Sequence, residues 1–122
     1  MNVEGITWHA IVLEPELFAA TRALMTETFG LAPAMEAEGM VLIILPNGTM
    51  LELNEPQAVP EYGFNDGLVF GFRVDDVEAA SGAVEAAGCE LLGEITRVEE
   101  VGYAYRHFRG PDGRLYGLNE QK

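Results

Sequence analysis

Pro46-Asn47-Gly48-Thr49-Met50-Leu51-Glu52-Leu53-Asn54-Glu55 lies over Pro111-Asp112-Gly113-Arg114-Leu115-Tyr116-Gly117-Leu118-Asn119-Glu120 without a gap. Each stretch opens on proline, an Asn or Asp, and glycine, and each closes on Leu-Asn-Glu. Asn-Gly and Asp-Gly accept the positive φ angles of a tight turn, so both stretches predict a hairpin whose return strand follows the glycine. The alternation in the first is regular: Leu51 and Leu53 face one way, and Met50, Glu52 and Asn54 the other. A match that includes the turn and both strand ends points to an internal duplication.

Outward from these hairpins the same order of elements appears twice. Residues 6–13 predict a strand buried largely on one face, and Pro15 suits the first turn of a helix spanning residues 15–29, closed by Gly30. Residues 40–45 predict the strand that leads into the first hairpin. Residues 56–66, with two prolines and several polar residues, predict a linker. The second half then repeats the pattern: a strand at 68–74, a helix capped by Asp75 or Asp76 and ending at Gly88, a weak strand at 90–99, an aromatic strand at 102–109, and the last strand at 114–119. Residues 9–20 also lie over residues 69–80 without a gap, both ending in Ala-Ala. The expected organisation is one domain of two modules, about 5–55 and 67–120, each ordered strand, helix, three strands.

Composition bounds the function. The chain has 122 residues, of which 48% are hydrophobic, enough for a packed core and too many for a disordered chain. Its net charge of −13 leaves no basic stripe for nucleic acid or an anionic membrane, and favours a cationic ligand or partner. The lone Cys89 excludes an internal disulfide and fits a reducing cytoplasm, and residues 1–7 do not have the form of a signal peptide. At the C-terminal end of a helix the dipole disfavours a thiolate, so Cys89 is expected to be a small packing residue. No phosphate-cradling glycine loop or nucleophile triad stands out.

The stretch Gly110-Pro111-Asp112-Gly113-Arg114-Leu115-Tyr116-Gly117-Leu118 resembles the signature Asp-Pro-Asp-Gly-Asn-x-x-Glu-Leu of the vicinal oxygen chelate superfamily, which includes glyoxalases, bleomycin resistance proteins and dioxygenases. Phe72-Arg73-Val74-Asp75-Asp76 resembles that family's entry to its second helix, and Phe29-Gly30-Leu31 its exit from the first. The resemblance implies an α+β fold: two tandem βαβββ modules whose strands form a curved, cup-like mixed sheet, with helices on the convex face. It also implies a homodimer. In metal-dependent members the first and last strands of each module supply the ligands. Carried over by the gapless matches, those positions are His9, Glu52, Val69 and Gly117. Imidazole and carboxylate suit a divalent transition metal, whereas Val69 and Gly117 cannot coordinate one. The resemblance therefore implies either no cofactor or a weakly held divalent metal on a half site.

Three functions follow as expectations. The first is a small-molecule-binding protein without a complete metal site. The ligand-binding residues would be His9, Glu52, Arg73, Tyr103, Tyr105 and His107, and the ligand a cationic or aromatic molecule. Tyr103, Tyr105 and His107 line one face of their strand if Phe108 packs under a helix; tyrosines so placed also suit a dimer interface. The second is a metal-dependent lyase, isomerase or dioxygenase on His9 and Glu52, with Glu52 as the catalytic proton carrier. The third is a non-catalytic acidic module that binds a protein. A carboxylate at position 52 that turns away from solvent needs a partner, and His9, Arg73, a metal or a ligand could each supply it.

Overall fold

The computed structural model describes residues 1–122, and the chain divides into two compact units. The N-terminal unit is Trp8–Val69; the C-terminal unit joins Met1–Thr7 to Phe70–Lys122. Strand β1 (Val3–Val12) is divided between them. Both units are α+β, with a mixed sheet and one principal helix.

In the N-terminal unit β1 is followed by helix α1 (Pro15–Ala23) and strands β2 (Pro33–Ala37), β3 (Met40–Ile44) and β4 (Met50–Asn54). The sheet order is β2-β3-β4-β1, antiparallel except for the parallel pairing of β4 with β1. Leu51 and Leu53 turn toward the helix, as their alternation predicts. Phe18 of α1 packs with Val41, Ile43 and Leu53, and Ile11 and Leu51 flank that cluster. The hairpin at Pro46-Asn47-Gly48 forms, with Gly48 at φ +86° and Asn47 Oδ1 accepting from the Thr49 amide at 3.1 Å.

Two features depart from expectation. The helix predicted over residues 15–29 keeps α geometry only to Ala23 and widens to a π turn over Leu24–Thr28. There the Phe29 amide reaches Leu24 O at 3.0 Å, and the Thr26 hydroxyl donates to Arg22 O at 3.0 Å. Such back-bonding competes with the regular backbone ladder. Strand β2 was not located from sequence: its residues are all exposed and none is β-branched, so neither periodicity nor propensity marks it.

The C-terminal unit contains β5 (Val69–Val74, whose first residue belongs to the other unit), α2 (Val77–Ala86), β6 (Glu90–Val98), β7 (Tyr103–Arg109) and β8 (Leu115–Gln121). Strand β5 pairs in parallel with β8, which continues antiparallel to β7 and then β6. Val77 and Ala80 of α2 are fully buried against Val74, Ala104, Phe108 and Leu118. Cys89 packs at the edge of this cluster. Asp76 caps α2, accepting from the amides of Glu78 and Ala79 at 3.0 and 3.1 Å, and the buried Glu120 carboxylate accepts from the Val77 amide at 2.7 Å. No helix is long and apolar enough to cross a membrane.

Candidate functional site

The sheet face turned away from the helix carries the candidate residues of each unit. In the N-terminal unit the register sets Trp8 beside Met50, His9 beside Leu51 and Ala10 beside Glu52. Neighbours in register share a face, so Glu52 projects with Trp8, Ala10, Met50 and Asn54, away from α1. Across the other edge of β4, Leu42 stands beside Glu52 and Met40 beside Asn54. Both Glu52 oxygens are engaged: Oε1 accepts from the Trp8 indole N–H at 3.4 Å and Oε2 from the Asn54 amide at 3.0 Å. Trp8 is buried, and the Phe64 ring meets it edge-on at 5.7 Å. The local partner expected for Glu52 thus exists, but it is Trp8 and Asn54, neither of which sequence reasoning singled out.

His9 does not join this group. Its register neighbour Leu51 lies on the helix side, and its ring nitrogen Nδ1 sits 3.2 Å from Met50 O. The expectation that His9 and Glu52 share a face fails on a one-residue slip. With Glu52 set over Gly117, the strand residues beside them are Ala10 and Gly71, so Val69 corresponds to Trp8. Such a slip moves every side chain to the opposite face.

In the C-terminal unit Ala104 and Phe108 pack under α2, which leaves Tyr103, Tyr105 and His107 on the other face. Their rings form a ladder, with centroids 6.0 Å apart for Tyr103 and Tyr105 and 5.4 Å for Tyr105 and His107. The structure therefore brings together these three residues, as their alternation implies. His107 is 5% exposed, and burial pushes its pKa down to about 4, so the ring is neutral at physiological pH. Register places Arg73 beside Asn119, and Asn119 beside Tyr105, in one row across β5, β8 and β7. The next row holds Gly71, Gly117 and His107, so two strands project nothing beside Arg73 and Asn119. Asn119 is buried and was not foreseen as a site residue; its only sequence signal was the Leu-Asn-Glu shared by the two hairpins.

No group of three or more His, Cys, Asp or Glu side chains is arranged to hold a metal ion.

Comparison with known proteins agrees with this architecture. The family model of the Glyoxalase/Bleomycin resistance protein/Dioxygenase superfamily matches residues 15–116, and the chain belongs to that superfamily. A superfamily member from Vibrio splendidus 12B01 superposes with a TM-score of 0.64 at 15% identity, covering 98% of this chain and 100% of the other. A methylmalonyl-CoA epimerase from Streptomyces coelicolor gives 0.67 at 20% identity, covering 98% and 99%. The Mn(II)-bound glyoxalase from Novosphingobium aromaticivorans gives 0.71 at 22% identity; 97% of this chain is covered but only 39% of that one. At these identities the likeness is one of fold. No curated protein matches the sequence.

Proposed function

We propose that this protein binds a small organic molecule, of aromatic or cationic character, without a resident metal. The observation that carries the proposal is the state of Glu52. Of the four positions at which the superfamily resemblance implies metal ligands, His9, Glu52, Val69 and Gly117, two have no ligating side chain and His9 stands beside Leu51 on the helix side of the sheet, which leaves Glu52 alone on its face. Each of its oxygens accepts one hydrogen bond, from Trp8 and from Asn54, which orients the carboxylate and leaves acceptor capacity for a ligand. These donors do not fit a divalent metal, which requires three or four converging ligands. What they do fit is an organic ligand: one carboxylate among Trp8, Phe64, Met50 and Leu42 offers an apolar surface with a single point of negative charge. A homodimer in a reducing cytoplasm belongs to the same reading, the first from the superfamily resemblance and the second from the lone Cys89.

Metal content and ligand binding test this directly. Untagged protein purified without chelator, beside Glu52→Gln, is expected to carry no stoichiometric divalent metal in either form by elemental mass spectrometry. Trp8, the only tryptophan, then serves as a fluorescence reporter in a screen of aromatic amines. A near-stoichiometric metal in the wild type that is lost in Glu52→Gln would overturn the proposal in favour of a metal-assisted enzyme.

A further inference from the structure

Arg73 stands apart from every other cation in this acidic chain. Arg22 pairs with Glu36, Arg97 with Glu78 at 3.6 Å, Arg109 with Glu90 at 3.8 Å, Arg114 with Asp112 at 3.9 Å, and Lys122 with Glu120 at 3.6 Å. Arg106 donates from Nε to Gly93 O at 3.0 Å. Arg73 has no such partner, although the chain holds 20 acidic residues, and its Nε is buried with nothing to accept its proton. The other buried side-chain atom without a partner is Nδ2 of Asn119, the residue beside Arg73 in the sheet register. Two orphaned donors thus sit next to each other on one sheet face. The Thr7 hydroxyl, 3.2 Å from Asn119 Oδ1, holds the amide with its Nδ2 end left over. Asn119 is 1% exposed, so bulk water does not serve it.

A buried donor without an acceptor is costly, and a charged one more so, which marks the pair as incomplete. The missing partner has to be an acceptor, and the positive charge of Arg73 selects an anion. The pair offers a planar guanidinium edge and one amide N–H₂, a small planar set of donors. It suits the two oxygens and single charge of a carboxylate, and is too sparse for the several oxygens and higher charge of a phosphate. Arg73 as a whole is only partly buried, so its side chain keeps some exposure to an incoming group. Gly71 and Gly117, side by side in the adjoining row, bring no side chain of their own to compete for the two donors, and Tyr105 supplies a ring on the far side of Asn119.

We propose that Arg73 and Asn119 form a recognition site for the carboxylate of a small organic acid, with Tyr105 bordering the organic part. The site goes beyond the aromatic or cationic ligand assigned to the Glu52 face; the two lie in different units, and their tests fail separately.

The test is an NMR titration of ¹⁵N-labelled full-length protein with sodium benzoate at constant ionic strength. The Arg73 Nε–H and Asn119 Nδ2 signals are expected to shift together and saturate with one dissociation constant. Benzamide, which lacks the charge, and inorganic phosphate are each expected to bind at least about tenfold more weakly. Asn119→Asp places a carboxylate beside Arg73 within the chain itself and is expected to abolish benzoate binding while the circular dichroism spectrum is kept; Arg73→Met is expected to do the same. Absence of saturable shifts, equal response to benzamide or phosphate, or benzoate binding that survives in folded variants overturns the proposal. If neither variant folds, the wild-type comparison of benzoate with benzamide decides.

Discussion

The indole N–H of Trp8 donates to Glu52 Oε1 at 3.4 Å, joining residues 44 apart in the chain across the parallel pairing of β1 and β4. The bond orients the carboxylate on the sheet face away from α1, and Asn54 holds its other oxygen.

Replacing Trp8 separates its two roles. Trp8→Phe removes the N–H but keeps a ring against Phe64, and a hydrogen bond of this length is expected to be worth about 0.5–1 kcal/mol. Trp8→Ala empties a buried site and is expected to cost about 3–5 kcal/mol. Urea unfolding of both variants measures the difference; equal losses would show that packing around Trp8 is unimportant and the hydrogen bond dominant.

His107 makes stability depend on pH. Its pKa in the folded protein is about 4, below the ordinary 6.5, so the unfolded chain takes up a proton more readily than the folded one. The stabilisation from keeping this ring neutral is complete above pH 6.5 and is lost as pH falls toward 4. Its limiting slope is about 1.4 kcal/mol per pH unit, and its full size on the order of 3 kcal/mol. Unfolding free energies of wild type and His107→Gln between pH 7.5 and 4.5, values near which the burial effect operates, are expected to converge as the solution becomes acidic. Parallel curves would remove His107 as the cause.

Gly110→Ala is expected to destabilise by about 1–3 kcal/mol. A methyl group at this position would lie 2.8 Å from Tyr116 Cε2. That ring cannot retreat freely, because its hydroxyl donates to Asp112 Oδ2 at 2.6 Å and its face stacks on Phe108 with centroids 5.6 Å apart. The thermal midpoint of Gly110→Ala, alone and combined with Tyr116→Leu, checks the clash: the penalty should shrink when the ring is gone.

Asp76→Ala removes the acceptor for the Glu78 and Ala79 amides at the start of α2 and is expected to cost about 1 kcal/mol, with Asp76→Asn close to wild type. Equal losses in the two variants, read by chemical denaturation, would show that charge rather than capping geometry matters there.

The parts legible in the sequence were those written in local chemistry. Pro46-Asn47-Gly48 and Pro111-Asp112-Gly113 marked both hairpins, and Gly48 and Gly113 adopt the positive φ their turns require. Asp75-Asp76 and Gly88 bracket α2, with Asp76 the one that caps it, and the alternation from Tyr103 to Phe108 sorts its residues onto the two faces observed. What local chemistry does not encode was harder. Strand β2 holds no apolar periodicity, because none of its residues is buried. The gapless match that sets His9 over Val69 rests on residue identity in the shared Ala-Ala, whereas the strand register sets Trp8 over Val69. That relation is visible only in the pairing of Ala10 with Glu52 and of Gly71 with Gly117. Asn119 was invisible as a site residue for a related reason: an orphaned donor is a property of neighbours, and its neighbour Arg73 lies on another strand.

The division of β1 has a consequence for the order in which the molecule can be completed. Met1–Thr7 group with Phe70–Lys122, and Asn2 exchanges hydrogen bonds with Asp75, its amide donating to the carboxylate at 3.0 Å and its carbonyl accepting from the Asp75 amide at 3.3 Å. During synthesis the opening residues leave the ribosome long before their partners exist. The Trp8–Val69 segment can assemble its own hairpins meanwhile, but the leading strand end must wait for β5, and contacts this distant in sequence are slow to close. Residues 1–7 are thus made well before the segment they pack with, and stay without it until that segment follows.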